Sequence, residues 1–269
     1  MFKRTHIALV IPIMTLLIMI SCDNSLQPID NFTESYSIYG KLDLKADTNF
    51  IRVKDLNTPL LPEATETFEG EVVLQDVNAG TEEVLDFRRI RFEDIFVYNF
   101  FTTQAISGQN EYRLQVRKSG EVVSEITART PEIAGINIQR ESESCFSPIT
   151  VRLDPVMQGE YLTVELSFVF SGIRYPRILP LSEQDRTDGI FEFTFTPQSV
   201  LDDIFVNSPV FQFGRVLCRD LSEGNIYMDI VHYGEGFSNR DEDNGLPVPG
   251  TFKTLYGLYS EEVLIPILN

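Results

Sequence analysis

The sequence predicts an all-β fold: a β-sandwich followed by a second β-rich domain with one short helix. Three observations lead there. Apolar and polar residues alternate with period two through most of the chain, and that is the pattern of a half-buried strand. Turn-forming clusters separate the alternating runs at short intervals. One segment, Thr196 to Phe205, changes to helical spacing.

In chain order, the first alternating run holds Tyr36, Ile38, Leu42 and Leu44. Phe50-Ile51-Arg52-Val53 follows, then a proline-rich link from Pro59 to Pro62. Phe68, Val72 and Leu74 alternate with Glu69, Glu71 and Gln75, and further runs cover Val84–Phe92 and Ile95–Phe101. Asn78-Ala79-Gly80 and Ser107-Gly108-Gln109-Asn110 read as turns.

The sharpest local signal is "EYRLQVRKSGEVVSEITARTP", residues 111–131. Tyr112, Leu114 and Val116 face one way, and Arg113, Gln115 and Arg117 the other. Lys118-Ser119-Gly120 is a hairpin turn, and Val122 to Thr127 is the return strand. A tyrosine two residues before an inward leucine resembles the tyrosine-corner strand of immunoglobulin and fibronectin type III domains, where the hydroxyl bonds backbone just upstream. Residues 34–131 are therefore expected to form an Ig/fibronectin-III-like sandwich, closed by Thr130-Pro131.

Residues 132–269 are expected to form the second β-rich domain. Ile149, Val151 and Leu153 alternate, and Leu162, Val164, Leu166, Phe168 and Phe170 make the longest such run. Phe191, Phe193 and Phe195 repeat the pattern. Thr196 suits an N-cap and Pro197 the first helical position. Val200, Leu201, Ile204 and Phe205 then share one helical face, which should cover the sheet. Ile226, Met228 and Ile230 predict another strand, and Val263, Ile265 and Ile267 a last one.

The N-terminus carries the clearest statement about location. Lys3 and Arg4 precede an apolar run from Ile7 to Ile20, broken only by Pro12 and Thr15. As a helix it would reach only ~21 Å, short of a ~30 Å bilayer core. A basic start, a short apolar segment and the small Ser21 predict a signal peptide over residues 1–21. Met19-Ile20-Ser21-Cys22 resembles the lipobox of bacterial lipoproteins, with Met19 where leucine is usual. That resemblance implies lipidation of Cys22, cleavage before it, and a lipidated tether over residues 22–33. Each buried CH₂ would add roughly 0.8 kcal/mol, and two chains make a stable anchor. The other readings are an ordinary secretory leader with an incidental cysteine and a retained transmembrane anchor, against which no positive stop-transfer flank follows Cys22.

The chain has 22 basic and 40 acidic residues, a net charge of −18. Without Lys3 and Arg4 the balance is about −20. Such a surface repels phosphate backbones, so no nucleic-acid partner is expected. It also repels anionic headgroups, so membrane attachment would rest on acyl chains.

Cys145 and Cys218 remain after Cys22 is assigned, an even pair suited to an oxidising compartment. Bonded, they would close a loop of about 74 residues, worth roughly 4 kcal/mol in the chain-entropy model. Two buried free thiols are the alternative. No Cys-x-x-Cys spacing occurs, so neither a zinc site nor a thioredoxin-like site is expected.

Other chemistry is sparse. His232 is the only histidine after the leader, and it continues the Ile226-Met228-Ile230 face. A strand histidine with its hydrogen bonds satisfied is the expectation, and a catalytic base the alternative. No Gly-x-Ser-x-Gly, Gly-x-Gly-x-x-Gly or Walker pattern is present. Asp241, Asp243 and Asn244, with Glu242, precede Gly245 in a carboxylate-rich loop. Oxygen ligands of that kind hold Ca²⁺, but the spacing departs from an EF-hand, and a solvated hairpin loop is expected, with no cofactor. Tyr227, Tyr233, Tyr256 and Tyr259 cluster late in the chain; packing in the core and on sheet faces is the expectation for such aromatics, and a sugar-binding rim is the alternative. Forty acids also leave room for a two-carboxylate glycan hydrolase, although no spacing singles out a pair.

The Cys22 lipobox, "YSIYGKLD", "EYRLQVRKSGEVVSEITARTP" and the later cysteine pair together resemble a family of uncharacterised Bacteroidota outer-membrane lipoproteins carrying a domain of unknown function. "VPGTFKTLYGLYS" is loosely similar to that family's Gly/Phe-rich C-terminal stretch. Many members are encoded beside TonB-dependent receptors. The resemblance implies a lipid-anchored envelope protein, most simply at the outer membrane, that binds rather than catalyses. Its partner would be a protein such as an outer-membrane receptor, and its role nutrient capture or envelope assembly. A carbohydrate-binding accessory protein is the alternative.

Overall fold

Alternating residues become strands along most of the described chain. The computed structural model describes residues 35–56, 68–92, 95–182, 185–206, 216–235 and 253–267, with only the strand course given for 91, 92 and 95–97. The expected leader over residues 1–21, Cys22, the expected tether over 22–33, and Asp241, Asp243 and Asn244 lie outside the described residues.

The first half contains β1 (Tyr36–Asp43), β2 (Asn49–Asp55), β3 (Glu71–Asp76), β4 (Thr81–Val84), β5 (Asp86–Phe92), β6 (Ile95–Thr102), β7 (Glu111–Lys118) and β8 (Glu121–Arg129). Two sheets result, in the orders β1-β2-β6-β5 and β4-β3-β7-β8. With the eight strands lettered A, B, C, C′, D, E, F and G, these are A-B-E-D and C′-C-F-G, the immunoglobulin arrangement. Tyr112 opens the F strand, and its hydroxyl accepts the Ser107 N–H at 2.9 Å, so the expected tyrosine corner is present. Ser119 and Gly120 both have positive φ, 54° and 84°, the type I′ geometry that matches the twist of a two-residue hairpin.

The second half repeats the plan. It contains β9 (Gly135–Arg140), β10 (Ile149–Asp154), β11 (Tyr161–Phe170), β12 (Ile173–Ile178), β13 (Arg186–Thr187), β14 (Ile190–Phe195), α1 (Pro197–Phe205), β15 (Asn225–Tyr233) and β16 (Lys253–Pro266). The sheets are β9-β10-β14-β13 and β12-β11-β15-β16, again A-B-E-D against C′-C-F-G. The helix expected from Thr196 forms in the E–F crossover. It buries Val200, Leu201, Ile204 and Phe205 against the second core.

Each half has its own core. Ile38, Ile51, Phe100, Val72, Leu114 and Val116 belong to the first. Val151, Leu153, Leu166, Phe168, Phe193 and Met228 belong to the second. Each fully buried side chain of this kind contributes roughly 1.5–3 kcal/mol. The core residues change over between Ala128 and Ala134, with one exception: Leu255 belongs to the first core.

That exception reports the main architectural finding. β16 is fourteen residues long and serves both halves. Its first part, Lys253 to Leu258, runs parallel to β1, from Ile38 to Asp43. Its remainder, from Leu258, pairs antiparallel with β15. The A-B-E-D sheet of the first sandwich and the C′-C-F-G sheet of the second thus merge into one eight-stranded sheet. Leu255 enters the first core and Ile265 the second, and both are odd-numbered on one strand. Period-two alternation therefore puts both cores on the same side of the shared sheet. The two four-stranded sheets cover that side, and the even-numbered residues of β16 look the other way.

The junction is closely packed. A Cβ at Gly257 would lie 2.4 Å from Thr130 Cα, and one at Gly234 would lie 1.7 Å from the Arg129 carbonyl oxygen. Only glycine lets β16 and the end of β15 pass this close to the connection between the halves. The Gly234 N–H donates to the Gly257 carbonyl at 2.9 Å.

Candidate functional site

The outer face of the shared sheet is eight strands wide, about 34 Å at ~4.8 Å per spacing. Six large apolar side chains are exposed on it: Tyr39, Phe50, Ile90, Tyr161, Ile178 and Leu264. Strand register sorts its side chains into three zones.

The first zone lies on β1, β2, β6 and β5. One lateral row reads Tyr256, Lys41, Phe50, Phe101, Asp86, and the next reads Thr254, Tyr39, Arg52, Asn99, Arg88. Lys54 lies opposite Ser37 in a third row. Aromatic rings and cations alternate. Phe50 and Phe101 are 6.2 Å apart, and the Arg88 guanidinium sits 5.2 Å from the Phe101 ring. The Arg52 Nε–H donates to Asn99 at 3.4 Å.

A tyrosine row crosses the middle. Tyr161 and Tyr233 are 6.0 Å apart, and Tyr233 and Tyr256 are 5.9 Å apart. The rings are inclined by 43° and 56° rather than coplanar.

The third zone, on β12, β11, β15 and β16, is acidic. Glu165, Asp229 and Glu262 lie side by side across three strands. Arg174 reaches over them from β12. Its guanidinium donates to Asp229 at 2.6 Å and to Glu262 at 2.9 Å, and it stands 4.6 Å from the Tyr227 ring. Partial burial, with the neighbouring Glu262, holds Asp229 above the usual carboxylate range against the pull of Arg174. An open groove of about 570 Å³ runs over this zone, lined by Thr163, Glu165, Ile178, Asp229, Ser260 and Glu262.

The four tyrosines of the sequence reading separate here. Tyr233 and Tyr256 meet in the central row. Tyr227 lies on the same face, at the far side of the carboxylates, and its hydroxyl donates to Glu223, which raises its pKa. Tyr259 does not join them. It is 7 % exposed on the inner side of β16, under the Lys45 ammonium, and its hydroxyl donates to Glu261. Burial and that bond push its pKa up to about 12.

His232 is 1 % exposed, and its Nε2 lies 2.8 Å from Glu160 Oε2. Glu160 also accepts the Met157 N–H at 2.7 Å and the Glu132 N–H at 3.1 Å. An Arg186 N–H donates to the Glu160 carbonyl at 2.6 Å. The pair therefore ties the second sandwich to the connecting segment, and no substrate reaches the ring. Sequence reading singled out His232 but not Glu160, which lies 72 positions away.

Cys145 and Cys218 are joined as a disulfide, with Cα atoms 6.1 Å apart. Both are buried in the second core, and the bond pins the long E–F crossover to the A–B loop. Among the described residues, no helix is long and apolar enough to cross a membrane, and no group of three or more metal-ligating side chains occurs.

No family model and no curated protein matches this chain. Among solved structures it is similar to a pullulanase from Anoxybacillus sp. LM18-11, at 9 % identity and a TM-score of 0.27. That match covers 74 % of this chain and 24 % of the pullulanase, so the chain spans about a quarter of that protein's length. It is also similar to the chicken interferon gamma receptor alpha chain, at 11 % identity and a TM-score of 0.27, over 88 % of this chain and all of the receptor chain. Likeness at this level carries no information about activity.

Proposed function

We propose that this protein is an envelope-anchored lipoprotein that acts as a non-enzymatic binding module, accessory to outer-membrane nutrient uptake. The leader, the lipobox and the disulfide support an extracytoplasmic, lipid-tethered chain. The observation that carries the binding reading is the broad outer face of the shared sheet, with its six exposed large apolar side chains. They stand among charged groups across the eight strands, and a wide face that mixes apolar, aromatic and charged side chains suits a partner of mixed chemistry. The one imidazole beyond the leader is sealed against Glu160, so it offers no base to a substrate.

Metabolic labelling with an alkyne fatty acid tests the anchor. The wild type should be labelled and sediment with membranes, and Cys22→Ala should be unlabelled and soluble. An unlabelled wild type overturns the anchored reading. For the face, Ile178→Asp with Leu264→Asp should leave thermal unfolding and labelling unchanged and abolish co-purification with an outer-membrane receptor. A receptor retained equally by that double variant overturns this surface as the binding site.

A further inference from the structure

The chain carries a net charge of −18, yet the first zone of the sheet face is basic. Lys41, Arg52, Lys54 and Arg88 point outward from three of the four strands β1-β2-β6-β5, where register and alternation place them. The described carboxylates on that face are Asp43 and Asp86, both at its margin: Asp43 ends β1 and Asp86 begins β5. Between the cations stand Tyr39 and Phe50, half exposed at 49 % and 50 %, with Phe101 beside them.

We infer that this zone binds an anionic polysaccharide, one whose sugars carry carboxylate or sulfate groups. The inference rests on the reading of the sheet face as a binding surface and names its ligand class. Three features lead to it. Guanidinium and ammonium groups bind carboxylate and sulfate by charge-assisted hydrogen bonds, and arginine does so with two parallel donors. Exposed aromatic rings between them offer flat apolar ground, which the C–H faces of pyranose rings cover. The spacing also suits a polymer: neighbouring strands are ~4.8 Å apart, about one pyranose along the chain. Arg52 and Arg88, two strands apart in one row, would take charges on alternate sugars. The tyrosine row and the Glu165, Asp229 and Glu262 zone bound the site, since like charge turns a polyanion away there.

Affinity electrophoresis of the detergent-solubilised full-length protein tests this, in native gels containing polygalacturonate, dextran sulfate, neutral dextran or poly-L-glutamate. Polygalacturonate and dextran sulfate should retard the wild type, and neutral dextran should not. Retardation should weaken with added salt. Arg52→Gln with Arg88→Gln should weaken binding by about tenfold or more, the size of one lost charge-assisted contact. Phe50→Ala should weaken polysaccharide binding while leaving any poly-L-glutamate binding unchanged. All these positions are on the surface, so each variant should melt with the parent. Absence of retardation, equal retardation of the double glutamine variant, or tighter binding of poly-L-glutamate than of polygalacturonate overturns the inference. Those results leave the anchored binding reading standing, because it is read by fatty-acid labelling and receptor co-purification.

Discussion

The two sandwiches share one strand order and close it by different chemistry. In the first, the E–F crossover from Thr103 to Asn110 is short, and one tyrosine hydroxyl on the Ser107 N–H pins it. In the second, the crossover from Thr196 to Gly224 holds a helix, and a disulfide fastens it. Near the same point of the second F strand stands Tyr227, but its hydroxyl goes to the Glu223 side chain rather than to backbone. Length explains the contrast. A short crossover is ordered by a few hydrogen bonds, here the Tyr112 bond, the Thr130 hydroxyl donating to the Ser107 carbonyl at 2.7 Å and the Gln109 N–H donating to the Pro131 carbonyl at 3.1 Å. A long one loses more conformational entropy on folding, which a covalent link and a buried apolar helix face offset.

Removing the disulfide tests that contrast most strongly. Cys145→Ser with Cys218→Ser should cost about 4 kcal/mol in chemical denaturation. Amide exchange should rise in β14 and β15 well before β7. Equal acceleration in both halves would mean that the shared strand, not the local fastening, sets stability. Glu160→Ala is next. It leaves two backbone N–H groups and His232 without their acceptor, and about 3 kcal/mol should be lost. Gly257→Ala should cost about 2 kcal/mol, since its Cβ meets the Thr130 backbone, and it should lower both halves together. Tyr112→Phe should cost about 1 kcal/mol, read mainly as faster exchange in β7.

The smallest effect at neutral pH belongs to Tyr259. Its phenol has a folded pKa of about 12 against 10.0 unfolded. The folded state therefore holds its proton more tightly, and the stability it brings is present below pH 10 and lost as pH rises toward 12. Tyr259→Phe should flatten the fall in melting temperature across that range. An unchanged slope would mean that the ring is not closed off as described.

Much of this fold could be read from local pattern. The runs around Leu162 to Phe170 and Phe191 to Phe195, the helix after Thr196 and the Tyr112 corner all appear where alternation, Pro197 and turn residues put them, although Thr196 is the N-cap by position only and makes no side-chain capping bond. The first part of β16 was not legible. The sequence showed a terminal strand only around Val263 to Ile267, and local pattern says nothing about which sheet a strand joins. Pairing Lys253 with Ile38 depends on tertiary contact across more than two hundred residues. The division of the tyrosines was legible in principle. Tyr256 and Tyr259 are three apart, an odd step that puts them on opposite faces of one strand, whereas Tyr227 and Tyr233 are six apart and share a face. Likewise "FIRVK" alternates Arg52 and Lys54 with apolar residues in an acidic chain, a signal of the basic zone that composition alone hides. Glu160 left no such trace, because its role depends on where His232 arrives.

The shared strand also dictates an order of assembly. Synthesis delivers the N-terminal half first, while residues 253–258, which border β1, follow more than two hundred residues later. Until residues 253–258 arrive, β1 presents a bare margin of unpaired amides and carbonyls, the kind of edge that recruits stray strands. A chain cut short before residue 253 would fill its first core incompletely and keep that sticky margin for good. Loss of residues 253–258 should therefore be felt more than two hundred residues away, at β1, as self-association.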